Sequence, residues 1–152
     1  MAPIRVLLVD DSPLFIGMMK LAINEDTGIQ VVGTASNGLD ALKAVPALQP
    51  DVIVCDVQMP KMDGIQFLKE LLPKQKSPVV VISSTPGVTL SALANGAVDF
   101  IPKPAAGEPK DAFFKRTLAT IRTAASANVG AKTAFHKKSV LTAPILGRIP
   151  GD

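Results

Sequence analysis

Five short apolar runs recur along the chain, and stretches with helical spacing separate them. The runs are "IRVLLVD" (4–10), "GIQVVGTAS" (28–36), "DVIVCD" (51–56), "VVVISS" (79–84) and "AVDFIPKP" (97–104). Such short runs read as strands, and the continuous apolar run 4–10 reads as one buried on both faces. The intervening segments read as helices: "PLFIGMMKLAIN", "GLDALKAVPALQ", "GIQFLKELL", "TLSALANG" and "KDAFFKRTLATIRTAASA". Strands that alternate with helices pair in parallel through crossovers. The expected fold is α/β, an open doubly wound sheet of five parallel strands. In that architecture ligands bind beyond the carboxyl ends of the strands, where the strand order reverses.

Several local signals set the helix boundaries. Ser12 followed by Pro13 is an N-cap with proline at the first helical position. Asn37 and Asp63 stand where caps of the second and third helices belong. Pro46 is expected to shorten or bend the second helix. Asn95-Gly96 closes the fourth. The first helix carries Leu14, Met18, Leu21 and Ala22 at helical spacing, and the last carries Phe114, Leu118, Ile121 and Ala125.

The strand ends hold the chemistry. Strand one ends in Asp10 and Asp11, strand three in Asp56, strand four in Ser83 and Ser84, and strand five in Lys103-Pro104. Topology therefore delivers three acids, a hydroxyl and a lysine to one edge of the sheet. Three carboxylates at one place repel each other unless a cation joins them. Oxygen-only donors suit a hard ion such as Mg²⁺, which keeps open positions for phosphate oxygens. Lysine adds a compact positive charge for such an oxygen. One acid can then act as a nucleophile toward phosphorus. Side chains alternate along a strand, so one of Ser83 and Ser84 faces the site, and the strand phase favours Ser83.

Composition narrows the class further. Hydrophobic residues make up 47% and charged residues 19% of the 152, which excludes a disordered chain. The single cysteine, Cys55, excludes an internal disulfide and reads as a core thiol. No apolar run reaches the length of a membrane span, and the N-terminal run is too short for a signal peptide, so a cytoplasmic protein is expected. The net charge of +3 is uneven: residues 1–103 hold 8 Lys and Arg against 10 Asp and Glu, whereas residues 104–152 hold 8 against 3. The basic excess lies in the last third, where no helix-turn-helix follows and Phe135 is the lone aromatic beside Lys132, His136, Lys137 and Lys138. Nucleic-acid binding is not expected.

Taken together, "VLLVDDS", "DVIVCDVQMPKMDG", "VVVISS" and "GAVDFIPKP" resemble a response-regulator receiver domain. Within that family the chain most resembles the receiver of the chemotaxis protein-glutamate methylesterase CheB, through "VVGTASNGLDAL", "MPKMDGIQFLKEL", "ISS" and "TLSALANGAVDFIPKP". The resemblance implies the flavodoxin-like, CheY-like strand order 2-1-3-4-5, with its switch point between strands one and three. It implies Asp56 as phosphoacceptor and Mg²⁺ held by Asp11, Asp56 and the backbone carbonyl of Gln58, with Asp10 acting through water. It further implies Lys103 on a phosphate oxygen, and Ser83 and Phe100 as the switch pair. Gln58 and Thr85 stand where receivers tune the lifetime of the acyl phosphate. The implied partners are a CheA-like histidine kinase as phosphodonor and an output domain or separate protein on the strand-four and strand-five face. One departure stands out: only "TPGV" separates "ISS" from "TLSAL", so the fourth helix should start abruptly near Pro86 and Gly87.

The expected organisation is a receiver domain over 1–127 and a linker or tail over 128–152, leading to an output domain absent from this chain. The tail carries neither a GxSxG elbow nor a Ser–His–Asp set, so no esterase is expected within these residues. A stand-alone receiver acting by partner binding is the alternative. An aspartyl-phosphate phosphatase would want a second acid two residues after Asp56, where Gln58 stands. Nucleotide binding would want a glycine-rich loop after strand one, which is missing.

Overall fold

The computed structural model describes residues 2–85 and 87–137. Five strands, β1 (Ile4–Val9), β2 (Ile29–Ala35), β3 (Val52–Asp56), β4 (Val79–Ser83) and β5 (Asp99–Pro102), alternate with five helices. These are α1 (Pro13–Asn24), α2 (Gly38–Leu48), α3 (Gly64–Leu71), α4 (Val88–Ala94) and α5 (Lys110–Lys137). All strand pairs are parallel, and the sheet order is β2-β1-β3-β4-β5. The order reverses between β1 and β3, so their carboxyl ends flank the crevice expected of a doubly wound sheet.

The strands alternate their side chains between two cores. Leu7, Val9, Ile53, Cys55, Val79 and Val81 face one core, with Phe67, Leu68 and Ala92 from the α2–α4 layer. Val6, Leu8, Val52, Val54, Val80 and Ile82 face the other, with Met19, Ile23, Phe113 and Ile121 from α1 and α5. Burial on both faces is why β1, β3 and β4 read as apolar runs, whereas the edge strands β2 and β5 carry exposed positions such as Gln30, Thr34 and Asp99.

Caps mark the helix starts. Ser12 Oγ accepts the Phe15 N–H, Asn37 Oδ1 accepts the Asp40 N–H, and Asp63 with Gln66 forms a reciprocal capping box. Gly87 takes the N-cap position of α4 at φ 92°, a left-handed conformation that glycine adopts without strain. Pro86, beside it, lies outside the described residues. Gly96, at φ 107°, follows the end of α4.

Some of the sequence expectations about the helices change and others hold. The apolar face of α1 is not the one expected: Leu14 and Leu21 are 77% and 74% exposed, and Met19 and Ile23 are the buried residues. On α5 the expected face holds: Ile121 and Ala125 are buried, Phe114 and Leu118 pack against the same core, and Phe113 joins them, fully buried. Pro46 lies inside α2, two residues before the helix ends at Leu48. There Gln49 turns left-handed at φ 49°, and the Arg5 guanidinium donates to the carbonyls of Leu48 and Gln49 at 2.7 and 2.8 Å. A proline this close to the end removes one helical bond without breaking the element, and a cation satisfies the free carbonyls. The backbone of α5 continues past the expected limit at 127 to Lys137. The remainder of the expected tail, 138–152, lies outside the described residues. Among the described residues, no helix is long and apolar enough to cross a membrane.

Candidate functional site

The register of the sheet builds the site. Val9 pairs with Cys55, so the next residues, Asp10 and Asp56, emerge level with one another at the sheet's edge. The Asp10 N–H donates to the Ala35 carbonyl, which anchors the exit of β1 to β2. On the other side, Ser83 pairs with Pro102, and the Lys103 N–H donates to the Ser83 carbonyl at 3.0 Å. Lys103 is thereby aimed back over the ends of β3 and β1.

Asp10, Asp11 and Asp56 each offer a carboxylate oxygen, and these atoms lie within 4.8 Å of one another. Asp10 and Asp56 are buried, and Asp11 is exposed. The Lys103 ammonium lies 3.2 Å from Asp10 Oδ2 and 3.5 Å from Asp56 Oδ2. Asp10 Oδ2 is buried and, apart from this ion pair, has no hydrogen-bond partner. The other oxygen, Oδ1, accepts the Ser12 N–H at 2.9 Å. A buried carboxylate oxygen with unused lone pairs, beside two further carboxylates and no nitrogen or sulfur donor, fits a hard cation. Burial raises the Asp56 carboxyl above its usual range; the Asp10 charge adds to this, and Lys103 opposes it.

The remaining expected residues surround this cluster. Ser83 is buried at the end of β4, and its Oγ accepts the Thr85 N–H at 3.0 Å, whereas Ser84 is exposed. Phe100 is partly buried against the α2–α4 core. Ser83, Thr85, Phe100 and Lys103 line a groove of about 440 Å³. Gln58 is exposed in the loop after β3.

Two residues at the site had no role in the sequence reading. A Cβ at Gly64 would lie 2.3 Å from the Asp56 carbonyl oxygen and 3.0 Å from Val57 Cα. Only glycine lets the start of α3 pack this closely on the end of β3, and the Gly64 N–H donates to the Val57 carbonyl. The signal in the sequence was a glycine straight after the capping Asp63. The second residue is Phe15, whose ring centroid lies 4.6 Å from Lys103 Nζ. No sequence spacing connects positions 15 and 103.

The chain is similar to several known proteins. Residues 6–110 match the response regulator receiver domain family. Over 133 residues the chain is 44% identical to a protein-glutamate methylesterase/protein-glutamine glutaminase of Vibrio vulnificus, covering 84% of this chain and 39% of that protein. It is 39% identical over 153 residues to the corresponding protein of Halalkalibacterium halodurans, covering 98% and 44%. The chain thus spans less than half the length of these relatives. Among solved structures, the response regulator domain of Thermotoga maritima CheB is similar at 40% identity and a TM-score of 0.74, covering 82% of this chain and 97% of that one. CheY in a CheX–CheY–BeF3–Mg²⁺ complex from Borrelia burgdorferi is similar at 27% identity and a TM-score of 0.67, covering 78% and 90%. The family match begins within β1 and reaches the first residue of α5, so it takes in every strand end described above. The chain therefore belongs to the response regulator receiver domain family, and its receiver is of the CheB kind.

Proposed function

We propose that Asp56 accepts a phosphoryl group from a histidine kinase and that this event switches a chemotaxis methylesterase. The reading rests on one observation above the rest: three carboxylates converge within 4.8 Å, and a lysine bridges the two buried ones. Asp10, Asp11 and Asp56, with the Gln58 carbonyl, would hold Mg²⁺; the related CheY structure was determined with Mg²⁺ and BeF3. When bound there, the ion supplies positive charge against the phosphoryl oxygens.

The chain's own residues do the rest. An Asp56 carboxylate oxygen attacks the phosphorus of a phosphohistidine. The P–O bond forms as the P–N bond breaks, and the imidazole nitrogen leaves with the electron pair and takes up a proton. Lys103 pairs with a phosphoryl oxygen, so its charge follows the negative charge as it moves. The Ser83 oxygen accepts from the Thr85 backbone, which leaves the hydroxyl proton free to donate to a second phosphoryl oxygen. Phe100 turns inward as Ser83 moves, and the β4–β5 face repacks. Leu90, Leu93 and Val98 are exposed near that face, which suits docking of an output domain or partner. The methylesterase relatives carry more than half their length beyond the part that this chain matches, and the output is assigned there.

The test is labelling by a small acyl phosphate with Mg²⁺, read as the mass of the intact protein. The wild type should gain one phosphoryl group, and Asp56→Asn or chelation of Mg²⁺ should abolish the gain. Equal labelling of Asp56→Asn would sink the assignment.

A further inference from the structure

The Lys103 ammonium has a third neighbour besides Asp10 and Asp56. It sits over the ring of Phe15, 4.6 Å from the centroid. The ring is not a loose flap. Its centroid lies 6.2 Å from that of Phe113, at 54° between planes, and Phe113 is fully buried. The Arg116 guanidinium lies over Phe113, 5.4 Å from its centroid. Arg116 in turn donates to Glu108 at 2.7 Å and reaches the Pro102 carbonyl at 3.4 Å. Two cations thus flank a pair of rings, and the path closes on Pro102, the residue before Lys103.

A second path fixes the ring relative to the carboxylates. Asp10 Oδ1 accepts the Ser12 N–H, and Ser12 Oγ accepts the Phe15 N–H at 3.2 Å. The carboxylate that pairs with Lys103 is therefore joined through one helix cap to the ring beneath Lys103. This matters because a lysine is a flexible stem with a strongly hydrated head. The Lys103 side chain is 22% exposed, so water competes for the ammonium. A ring face on the apolar side attracts the cation and offers no hydrogen bond that would divert it from the acids.

We propose that Phe15 is a positioning residue for phosphoryl transfer, holding the Lys103 ammonium at the Asp10–Asp56 edge ready for a phosphoryl oxygen. The inference rests on Asp56 as phosphoacceptor. It gives the aromatic residue at the start of α1 a role beyond filling the space between α1 and α5. The cation is placed before the donor arrives, so less ordering is left to the transition state.

The test compares Phe15→Leu, which keeps an apolar side chain without a π face, with Phe15→Tyr, which keeps the ring. In the wild type, the ε-methylene protons of Lys103 should be shifted upfield by the ring current in an NMR spectrum recorded without any phosphodonor. Phe15→Leu should abolish that shift, and Phe15→Tyr should retain it. Phe15→Leu should slow labelling by a small acyl phosphate about 3- to 10-fold, as expected for loss of one partly desolvated cation–π contact. Mg²⁺ affinity measured by calorimetry should not fall, because the carboxylates are untouched. If Phe15→Leu fails to fold, Phe15→Met fills similar volume without a ring and decides in the same way. A wild-type Lys103 resonance at the position of a solvated lysine would overturn the proposal. So would a folded Phe15→Leu protein labelled at the wild-type rate. If the wild type itself took up no phosphoryl group, the phosphoacceptor reading would fall, and the NMR comparison would still decide whether Phe15 holds the ammonium.

Discussion

Lys103 Nζ lies 3.2 Å from Asp10 Oδ2, closer than the 3.5 Å that separates it from the phosphoacceptor candidate Asp56. The lysine thus occupies part of the charge deficit that a metal ion would fill. Replacing it should affect metal binding and chemistry in opposite directions. Lys103→Met removes a positive charge beside the three carboxylates, so the metal-free protein becomes less stable, by about 1–2 kcal/mol for a partly exposed pair. Mg²⁺ should then bind more tightly, by about 3- to 30-fold at the screening typical of protein surfaces. Labelling of Asp56 should fall sharply in the same variant. Calorimetric titration with Mg²⁺ checks the first half, and unchanged or weaker affinity would contradict it.

Gly64 makes a different kind of contribution, through shape alone. An added methyl would lie 2.3 Å from the Asp56 carbonyl oxygen, and backbone rather than a pliable side chain stands in the way. Either the start of α3 or the end of β3 must move. Gly64→Ala should cost about 1–3 kcal/mol, the usual range for overpacking, even though alanine is the better helix former. Urea unfolding should show a lower midpoint with an unchanged slope. Because the displaced atoms belong to Asp56, labelling should also slow in protein that remains folded. A variant as stable and as readily labelled as the wild type would show that the close approach is not required.

The strand ends were legible in the sequence for a physical reason. A parallel strand covered on both faces stays apolar until the chain leaves the sheet, so the first polar residues mark the edge where ligands bind. Asp10 and Asp56 could be read in this way; Lys103 was read from its place at the end of the fifth run before a proline, and the structure brings the three together. Position along a helix was harder to read. Eight of the twelve residues of α1 are apolar side chains (Leu14, Phe15, Ile16, Met18, Met19, Leu21, Ala22 and Ile23), so more than one face fits the helical period. On α5, adjacent Phe113 and Phe114 posed the same choice. The Gly64 and Phe15 contacts join residues that no periodic pattern relates, and they become visible only when through-space distances are known.

Glu108 and Arg116 supply a pH-dependent brace under the loop that carries Lys103. The Arg116 guanidinium holds the Glu108 carboxyl below its usual value of 4.5, and the Ala105 N–H adds to the effect. A carboxylate whose pKa is lower in the folded state stabilises the fold above its unfolded value, and that contribution is lost as pH falls through the folded value. The brace is therefore intact at neutral pH and dissolves below about pH 4.5, the unfolded value. Arg116→Met should lower the melting temperature at pH 7, and the gap from wild type should narrow as pH falls from 5 toward 3. A gap that is constant across that range would assign the role of Arg116 to packing on Phe113 instead.

The corrected face of α1 yields a contrast within one helix. Met19 and Ile23 are 1% exposed and lie in the α1–α5 core, whereas Leu21, between them in sequence, is 74% exposed. Helical geometry accounts for the difference: positions 19 and 23 are one turn apart on the same face, and position 21 points about half a turn away. Truncating a buried side chain removes its transfer energy and leaves a cavity, so Met19→Ala should cost about 2–4 kcal/mol. Leu21→Ala loses little burial and gains helix propensity, so its effect should stay within about 0.5 kcal/mol of wild type. Leu14→Ala, near the site but 77% exposed, should behave like Leu21→Ala in stability. Denaturant unfolding of the three variants checks the assignment directly. If Leu21→Ala proved the costly change and Met19→Ala the mild one, α1 would have to be rotated on the sheet. Phe15 would then leave its place beneath Lys103, because both side chains are fixed by the same turn of helix.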